Sequence, residues 1–344
     1  MSTDRLWASA KRTPVFENVD AARFRDEIAP RNGPAILKGL AKRWPAAAKA
    51  RESNAALADY FMSVSNGAPV EGYYGPPEIK GRFGFSADFK GFNFEKRATS
   101  LRELLDALLH HAGDASPPAI QGASLNIVKH MPALIEQAPL DLIAPQFDRL
   151  ISVWVGNRVR TAAHWDLPQN IACVVAGRRR YTLFPLHQAK NLYIGPLDFT
   201  LAGRPTSLVD FHEPDFEKFP KFREAMQHAE IADLEPGDAV YLPSVWIHHV
   251  ETLDPFGAMV NFWWREAPEH MLSPYMTMLH AILTLKDLPA HEREAWRALF
   301  DLYVFQTEGP AMAHVPEHAR GAWGKTTPEQ LRNLKAYLTK TLSW

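Results

Sequence analysis

Two histidines and one aspartate form the pattern in this sequence that most directly indicates chemistry. His164 and Asp166 are separated by one residue, and His248 lies much further along the chain. Two imidazoles and one carboxylate hold one face of an octahedral Fe(II) ion and leave three positions open for other ligands. A fourth protein ligand would close such a site, whereas thiolates favour zinc or an iron–sulfur cluster. The residue types therefore indicate a non-haem iron site with room for reactants.

The local pattern around these residues places them on β-strands. In a strand, residues i and i+2 point to the same face, so His164 and Asp166 can converge on one ion while Trp165 faces away. His248 lies in a second predicted strand, which follows a Pro-Gly-Asp turn at 236–238. His249 is the competing third ligand. It belongs to the opposite strand face, so only one of the two histidines points inward.

Composition restricts the class of protein. The chain has 344 residues, of which 46% are hydrophobic and 22% charged, as in ordinary globular proteins. Its formal net charge of −1 gives no bulk-charge signal for binding nucleic acid. The single cysteine, Cys173, excludes an intramolecular disulfide and a cysteine-based zinc site, and its apolar neighbours predict a buried thiol. No apolar run suits a transmembrane helix, and residues 1–5 do not begin a signal peptide, so we expect a cytoplasmic protein.

Apolar patterns predict strands through the middle of the chain. Residues 151–155 and 180–184 alternate between apolar and polar, and residues 171–176 are continuously apolar, as in a strand buried on both faces. Residues 186–231 are mostly irregular, which predicts a long functional loop between strands. With helical patterns at both ends, the sequence predicts a mainly-β fold with α flanks, built on a small antiparallel barrel or sandwich.

Helical patterns flank this β region. Ser100–His111 has leucines at i, i+3, i+4 and i+7, with a capping box at its start. Another helix is expected near Ala55–Met62, with Asn54 as its N-cap. Three more are predicted at 271–285, 291–304 and 328–342. These patterns predict a domain at 1–265, with its core barrel at about 115–265, and a C-terminal helical region at 266–344.

Several blocks of sequence, in order, resemble one known family. The chain is similar to the cupin-like JmjC-type 2-oxoglutarate oxygenases, and most similar to the branch containing the asparaginyl hydroxylase of hypoxia-inducible factor. The blocks that carry the resemblance are residues 31–36, 44–46, 91–94, 161–170, 177–185, 236–243, 248–250 and 260–263. The resemblance implies a double-stranded β-helix, also called a jelly roll, with N-terminal α/β elements and iron bound near its mouth.

The resemblance also implies roles for individual residues. His164, Asp166 and His248 match the iron ligands, and the family spacing to Asn261 and Trp263 favours His248 over His249. Arg179 matches the basic residue that holds the far carboxylate of 2-oxoglutarate, where a close relative has lysine; an arginine can bind a carboxylate bidentately. Arg178 and Arg180 flank it, so a slip of one residue would move this assignment. Four further residues match positions around the cosubstrate: Thr161, Asn170, Asn261 and Trp263.

The sequence departs from the family pattern near the residues expected to contact the substrate. Gln121 matches a substrate-facing glutamine, but the family's cosubstrate-binding tyrosine two residues earlier is Ala119 here. Another residue must fill that space, or the cosubstrate must bind slightly differently. The loops at 67–94 and 186–231 are expected to contact the substrate, and one sequence carries no code for its identity.

The reaction implied by the resemblance is an oxidative hydroxylation. Fe(II) is the cofactor, 2-oxoglutarate and O₂ are consumed, succinate and CO₂ are released, and a C–H bond of a protein side chain, RNA base or small molecule is hydroxylated. Two alternatives are a metal-binding cupin with chemistry independent of 2-oxoglutarate and a non-catalytic cupin scaffold or regulator. The retained triad argues against the second of these.

The C-terminal helices predict a homodimer. Their apolar residues form faces that are too broad for one contact with the β core. In the hydroxylase branch the equivalent region pairs two subunits, so the resemblance implies the same here. The alternative is that these helices cap the core and cover the N-terminal segment. The residues concerned are Met271, Leu272, Tyr275, Met276, Met278, Leu279, Ile282, Leu283, Phe300, Leu302, Tyr303 and Phe305.

Overall fold

Fourteen strands are found in the described part of the chain, which a computed structural model gives as residues 6–268, 271–324 and 327–342. They are β1 Lys11–Arg12, β2 Val15–Glu17, β3 Ala35–Lys38, β4 Val70–Gly75, β5 Glu95–Thr99, β6 Ala119–Asn126, β7 Arg149–Gly156, β8 Arg160–His164, β9 Gln169–Ala176, β10 Arg179–Phe184, β11 Glu230–Leu234, β12 Ala239–Leu242, β13 Ile247–Thr252 and β14 Gly257–Trp264. The start of the chain used for the signal-peptide expectation, residues 1–5, lies outside the described residues.

The strands form two sheets. The smaller has the order β1-β11-β10-β13-β8, and the larger has the order β2-β3-β12-β9-β14-β7-β6-β4-β5. From β7 to β14, strands β7, β9, β12 and β14 enter the large sheet, and β8, β10, β11 and β13 enter the small one. This distribution is that of a jelly roll. The predicted mainly-β jelly-roll class is confirmed, but as a sandwich: among the described residues no strand belongs to both sheets, so no closed barrel forms.

A hydrophobic layer joins the two sheets. Ala172 and Val174 on β9 and Met259 on β14 pack with Leu183 on β10 and Val250 on β13. The strand period explains this packing, because every second side chain of each strand faces the opposite sheet. Cys173, on the other face of β9, is fully buried in a second cluster, as its apolar neighbours predict.

Helices that precede β7 pack on the outer face of the large sheet, the helix at 222–227 packs with the small sheet, and three more helices follow the sheets in sequence. The helices are α1 Ala21–Arg23, α2 Pro45–Glu52, α3 Asn54–Val64, α4 Leu101–His110, α5 Ile127–His130, α6 Leu134–Gln137, α7 Phe222–Gln227, α8 Pro274–Leu285, α9 Ala290–Phe300 and α10 Pro328–Leu342. The capping box predicted for α4 is present, and its four leucines are buried. The predicted cap of α3 is wrong by one residue, because Ser53, not Asn54, accepts the hydrogen bond from the Ala56 amide.

The chain divides by its internal contacts into two compact units, residues 1–266 and 267–344. The second unit contains α8, α9 and α10, and none of the described residues in these helices is buried. Along the described ranges, every helix is too short or too polar to cross a membrane.

Candidate metal centre

The three predicted ligands meet at one end of the small sheet. His164 is the last residue of β8, and its register partner on β13 is His248. Asp166 lies two residues beyond the end of β8, and its Oδ2 is 3.9 Å from His164 Nε2 and 3.7 Å from His248 Nε2. One ligand atom from each residue lies within 4.8 Å of the others. Such a group can hold a single metal ion from one side.

Both histidines are held with the same ring nitrogen free for a metal. His164 Nδ1 donates to the carbonyl oxygen of Ala162 at 2.9 Å, and His248 Nδ1 donates to that of Trp246 at 2.9 Å. A carbonyl oxygen only accepts, so the hydrogen sits on Nδ1 and Nε2 keeps its lone pair. Burial, together with the charge of the neighbouring His164, lowers the pKa of His248 to about 4. His248 is therefore neutral at pH 7, the form that binds metal ions.

His249, the competing ligand, faces away from this group. Its Nε2 is 3.2 Å from Glu251 Oε1, and its ring packs on Phe211 at 4.5 Å between ring centroids. The other oxygen of Glu251 is 2.7 Å from His212 Nε2. The two-residue period of β13 thus places His248 at the candidate centre and gives His249 a packing partner in the long loop.

A strained turn before β13 holds the aspartate segment. The Val245 amide donates to the carbonyl oxygen of Asp166 at 2.8 Å, and Ser244 Oγ donates to that of Leu167 at 2.6 Å. Val245 has φ +59°, a left-handed conformation that is unusual for a β-branched residue. The surrounding contacts overcome this strain and fix the backbone of Asp166 next to the strand that carries His248.

A single cavity between the two sheets is lined by all nine predicted site residues. They are Gln121, Thr161, His164, Asp166, Asn170, Arg179, His248, Asn261 and Trp263. The small sheet contributes Thr161 and Arg179 and the large sheet contributes Asn170, so the jelly roll brings together segments that are distant in sequence. Asn170 and Trp263 are register partners on β9 and β14.

The three neighbouring arginines have different surroundings. Arg179 lines the cavity and is only 2% exposed, and burial lowers its pKa from the ordinary arginine value. Arg178 forms an ion pair with Asp254, and Arg180 forms one with Asp233, both away from the cavity. Of the three, only the Arg179 guanidinium is available to a ligand bound beside the candidate metal centre.

Several buried polar atoms that line this cavity have no partner within the described chain. Arg179 Nε and Nη2, Asn170 Oδ1 and Trp263 Nε1 are buried and form no hydrogen bond within the described chain. Asn261 Oδ1 accepts from Trp154 Nε1 at 2.8 Å, which leaves Asn261 Nδ2 directed elsewhere and unpaired. Buried polar groups are normally paired, so these atoms indicate that the cavity suits a polar ligand.

The space beside Ala119 is filled by aromatic residues. Ala119 packs in a cluster with Tyr73, Phe83 and Phe94, and these three also line the cavity. Tyr73 comes from β4, the strand next to β6, where it pairs with Gln121. The space beside Ala119 is therefore filled by side chains from neighbouring elements.

Sequence reasoning missed several polar residues that line the cavity, among them Arg204, Thr206 and Tyr181. Arg204 lies in the long loop, and its Nε is 4.0 Å from Asp166 Oδ1. No periodic pattern marks residues in irregular loops, so nothing in the sequence singles it out. Tyr181 was detectable, because it follows Arg179 by two residues and must share its strand face.

Comparisons with known proteins agree with this fold. A family model described as a cupin-like domain matches residues 21–270, so the chain belongs to the cupin-like domain family, of the JmjC type. Lysine-specific demethylase JMJ31 of Arabidopsis thaliana is 27% identical over 291 residues, 76% of this chain and 52% of that protein. tRNA wybutosine-synthesizing protein 5 of Danio rerio is 25% identical over 274 residues, 74% of this chain and 76% of that protein. The chain thus spans about half the length of the Arabidopsis relative.

Proposed function

We propose that this protein is an Fe(II)- and 2-oxoglutarate-dependent dioxygenase that hydroxylates a C–H bond. One observation carries the proposal: a His-Asp-His group shares a cavity with the buried Arg179 guanidinium, two of whose nitrogens find no acceptor among the described residues. The first feature suits a divalent iron ion, and the second suits the far carboxylate of a dicarboxylic acid. Membership in the JmjC-type cupin family fits an oxidoreductase of this kind.

Iron would be held by His164, Asp166 and His248. The donor set fits, because two neutral imidazoles and one carboxylate leave half of an octahedral coordination sphere open. Both Nε2 lone pairs are directed at the group by the Nδ1 hydrogen bonds. When bound, iron supplies the redox chemistry that activates O₂ while 2-oxoglutarate is converted to succinate and CO₂.

The remaining polar residues of the cavity would orient the cosubstrate. Arg179 would bind its far carboxylate through the unpaired Nε and Nη2 atoms. Thr161, Asn170 and Asn261 would add hydrogen bonds, and Trp263 would form part of the wall. The contribution of the chain is to fix the cosubstrate and exclude water. Gln121 remains the proposed contact to the substrate.

An oxygen-consumption assay tests the proposal against both alternatives. The purified full chain, loaded with Fe(II), is expected to consume O₂ and release succinate only when 2-oxoglutarate is present. A cupin with other chemistry would turn over without 2-oxoglutarate, and a scaffold would show no turnover. His249→Ala is the matched control for His248→Ala, since the two neighbours lie on one strand with only His248 at the centre.

Three substrate classes fit the proposal: a protein side chain, an RNA base and a small molecule. The names of the relatives point in two directions, to lysine in a protein and to a modified tRNA base. The likeness to the asparaginyl hydroxylase branch, drawn from sequence motifs, adds a third candidate side chain. A turnover screen with peptides, tRNA and metabolites, read by succinate release above the uncoupled background, separates these classes.

We also propose that the C-terminal unit forms a homodimer, in a protein expected in the cytoplasm. Met276 and Leu283 on α8 are 58% and 76% exposed, and Phe305 after α9 is 65% exposed. Exposed apolar side chains at this density mark an interaction surface. Light scattering should give a molar mass twice that of one chain. Leu283→Glu should lower the measured mass to that of a single chain. Lys286→Glu, at the exposed end of α8, is the control that should leave the mass unchanged.

A further inference from the structure

Tyr181 is a fully buried hydroxyl donor inside the candidate cavity. It lies on β10 two residues after Arg179, so both side chains leave the same face of the strand. Both line the cavity, and Tyr181 is 1% exposed. Burial raises the pKa of Tyr181 to about 12, although the Arg179 charge acts in the opposite direction. At pH 7 the side chain is therefore a neutral phenol that can donate a hydrogen bond.

The present partner of this hydroxyl is weak. Tyr181 Oη donates to the Met259 sulfur at 3.2 Å, and within the described chain it makes no other hydrogen bond. A thioether is a poor acceptor, whereas a buried tyrosine hydroxyl ordinarily finds a good one. Met259 itself lines the cavity, so the hydroxyl lies where a ligand would reach it. By rotating about its C–O bond, the hydroxyl can donate to a carboxylate oxygen instead.

We infer that Tyr181 is a cosubstrate-binding residue that donates its hydroxyl hydrogen to the carboxylate held by Arg179. The inference rests on the proposed function, because it takes 2-oxoglutarate as the ligand. An arginine and a phenol on one strand face then give three donors to a single carboxylate, two from the guanidinium and one from Tyr181. These donors select for a 2-oxo acid that carries a second carboxylate over a 2-oxo acid that ends in a methyl group.

Calorimetric binding to the full chain loaded with Mn(II) tests this role without turnover. Tyr181→Phe keeps the ring and removes the hydroxyl, so the Kd for 2-oxoglutarate is expected to rise about tenfold to a hundredfold, the range for a hydrogen bond to a charged group. The Kd for 2-oxobutanoate, which lacks the second carboxylate, should stay within about twofold, because the interaction removed is absent from that complex.

Two variants separate ligand binding from packing. Tyr241→Phe removes another buried hydroxyl, which donates to Gln169 at 2.5 Å outside the cavity, and should leave both Kd values unchanged. Met259→Leu removes the present acceptor of Tyr181 and should retain 2-oxoglutarate affinity. If Met259→Leu weakens binding as much as Tyr181→Phe does, the Tyr–Met contact is structural and the inference is overturned.

The outcomes distinguish this inference from the proposed function. Failure of the parent protein to bind 2-oxoglutarate overturns the proposed function, and the inference with it. Binding by the parent with an equal Kd for Tyr181→Phe overturns the inference alone. Should Tyr181→Phe not fold, a crystal structure of the parent with Mn(II) and N-oxalylglycine decides. We expect Tyr181 Oη within about 3 Å of the far carboxylate, and a separation beyond hydrogen-bond range refutes the assignment.

Discussion

Replacement of Arg179 by methionine should stabilise the ligand-free protein and abolish binding of 2-oxoglutarate. The guanidinium is buried, its pKa is lowered by that burial, and two of its nitrogens have no acceptor in the described part of the chain. A buried donor left unpaired costs about 1–3 kcal/mol, and more when it is charged. Methionine keeps much of the apolar stem and is flexible enough to fill the space, so that cost is removed.

The expected magnitudes follow from the same contacts. Relief of about 1–3 kcal/mol corresponds to a rise in Tm of about 2–4 °C for each kcal/mol in a domain of this size. Two charge-assisted hydrogen bonds, at about 1.5–3 kcal/mol each, are lost from the bound state. The Kd for 2-oxoglutarate should therefore rise by about two orders of magnitude or more, and the KM with it.

Thermal unfolding with and without ligand measures both effects in one experiment. At 2-oxoglutarate concentrations about a hundredfold above the Kd, mass action stabilises the Mn(II)-loaded parent by about 2.7 kcal/mol. Under the same conditions Arg179→Met should gain almost nothing, although its ligand-free Tm is higher. Arg178→Met and Arg180→Met are the matched controls, because each of these arginines is paired with an aspartate outside the cavity.

Two results would refute this reasoning. A ligand-free Arg179→Met that is less stable than the parent would show that the guanidinium has favourable interactions in the fold. Retained stabilisation by 2-oxoglutarate in Arg179→Met, together with its loss in Arg178→Met or Arg180→Met, would assign the carboxylate to a neighbouring arginine.

Three further predictions concern other parts of the chain. His248→Ala should abolish 2-oxoglutarate-dependent O₂ consumption, as should alanine at the other two ligands, whereas His249→Ala should retain measurable activity. Although burial acts in the opposite direction, the hydrogen bond from His212 and the nearby His249 lower the pKa of Glu251. Its folded-state pKa is thus below the unfolded value, so its stabilisation is present above pH of about 4.5 and is lost as the pH falls further. In denaturant unfolding, the free energy of unfolding should fall more steeply with decreasing pH for the parent than for Glu251→Gln. Ser100→Ala should lower the free energy of unfolding by about 1 kcal/mol in urea, because the capping box of α4 is lost.

The sequence predicts those parts of the fold and site that depend on local periodicity. The leucine spacing of α4 and the apolar run of β9 depend only on neighbouring residues, and both elements form as expected. The face of β13 on which His248 lies follows from the same local rule. However, Asp166 lies beyond the end of β8. The two-residue period of a strand therefore explains only in part why its carboxylate lies close to the two histidines.

Other features depend on long-range packing and were not predictable. The position of Arg204 is set by the course of an irregular loop, which no periodic signal describes. The aromatic residues around Ala119 come from β4 and the segment after it, and their arrival depends on strand pairing between distant parts of the chain. The strain at Val245 is imposed by hydrogen bonds to the segment after β8 and has no signature in its own sequence.

The unpaired polar atoms explain why the cavity suits an anionic ligand and not merely a polar one. Most of those that line it are donors: Arg179 Nε and Nη2, Asn261 Nδ2 and Trp263 Nε1. A neutral ligand would satisfy some of them, but it would leave the buried charge of Arg179 uncompensated, which is strongly unfavourable in a low-dielectric site. A carboxylate supplies both the acceptor oxygens and the compensating charge. These groups would make the ligand-free fold less stable, and binding of the proposed dicarboxylate would recover that stability, so affinity for the cosubstrate and instability of the empty cavity would have a common origin.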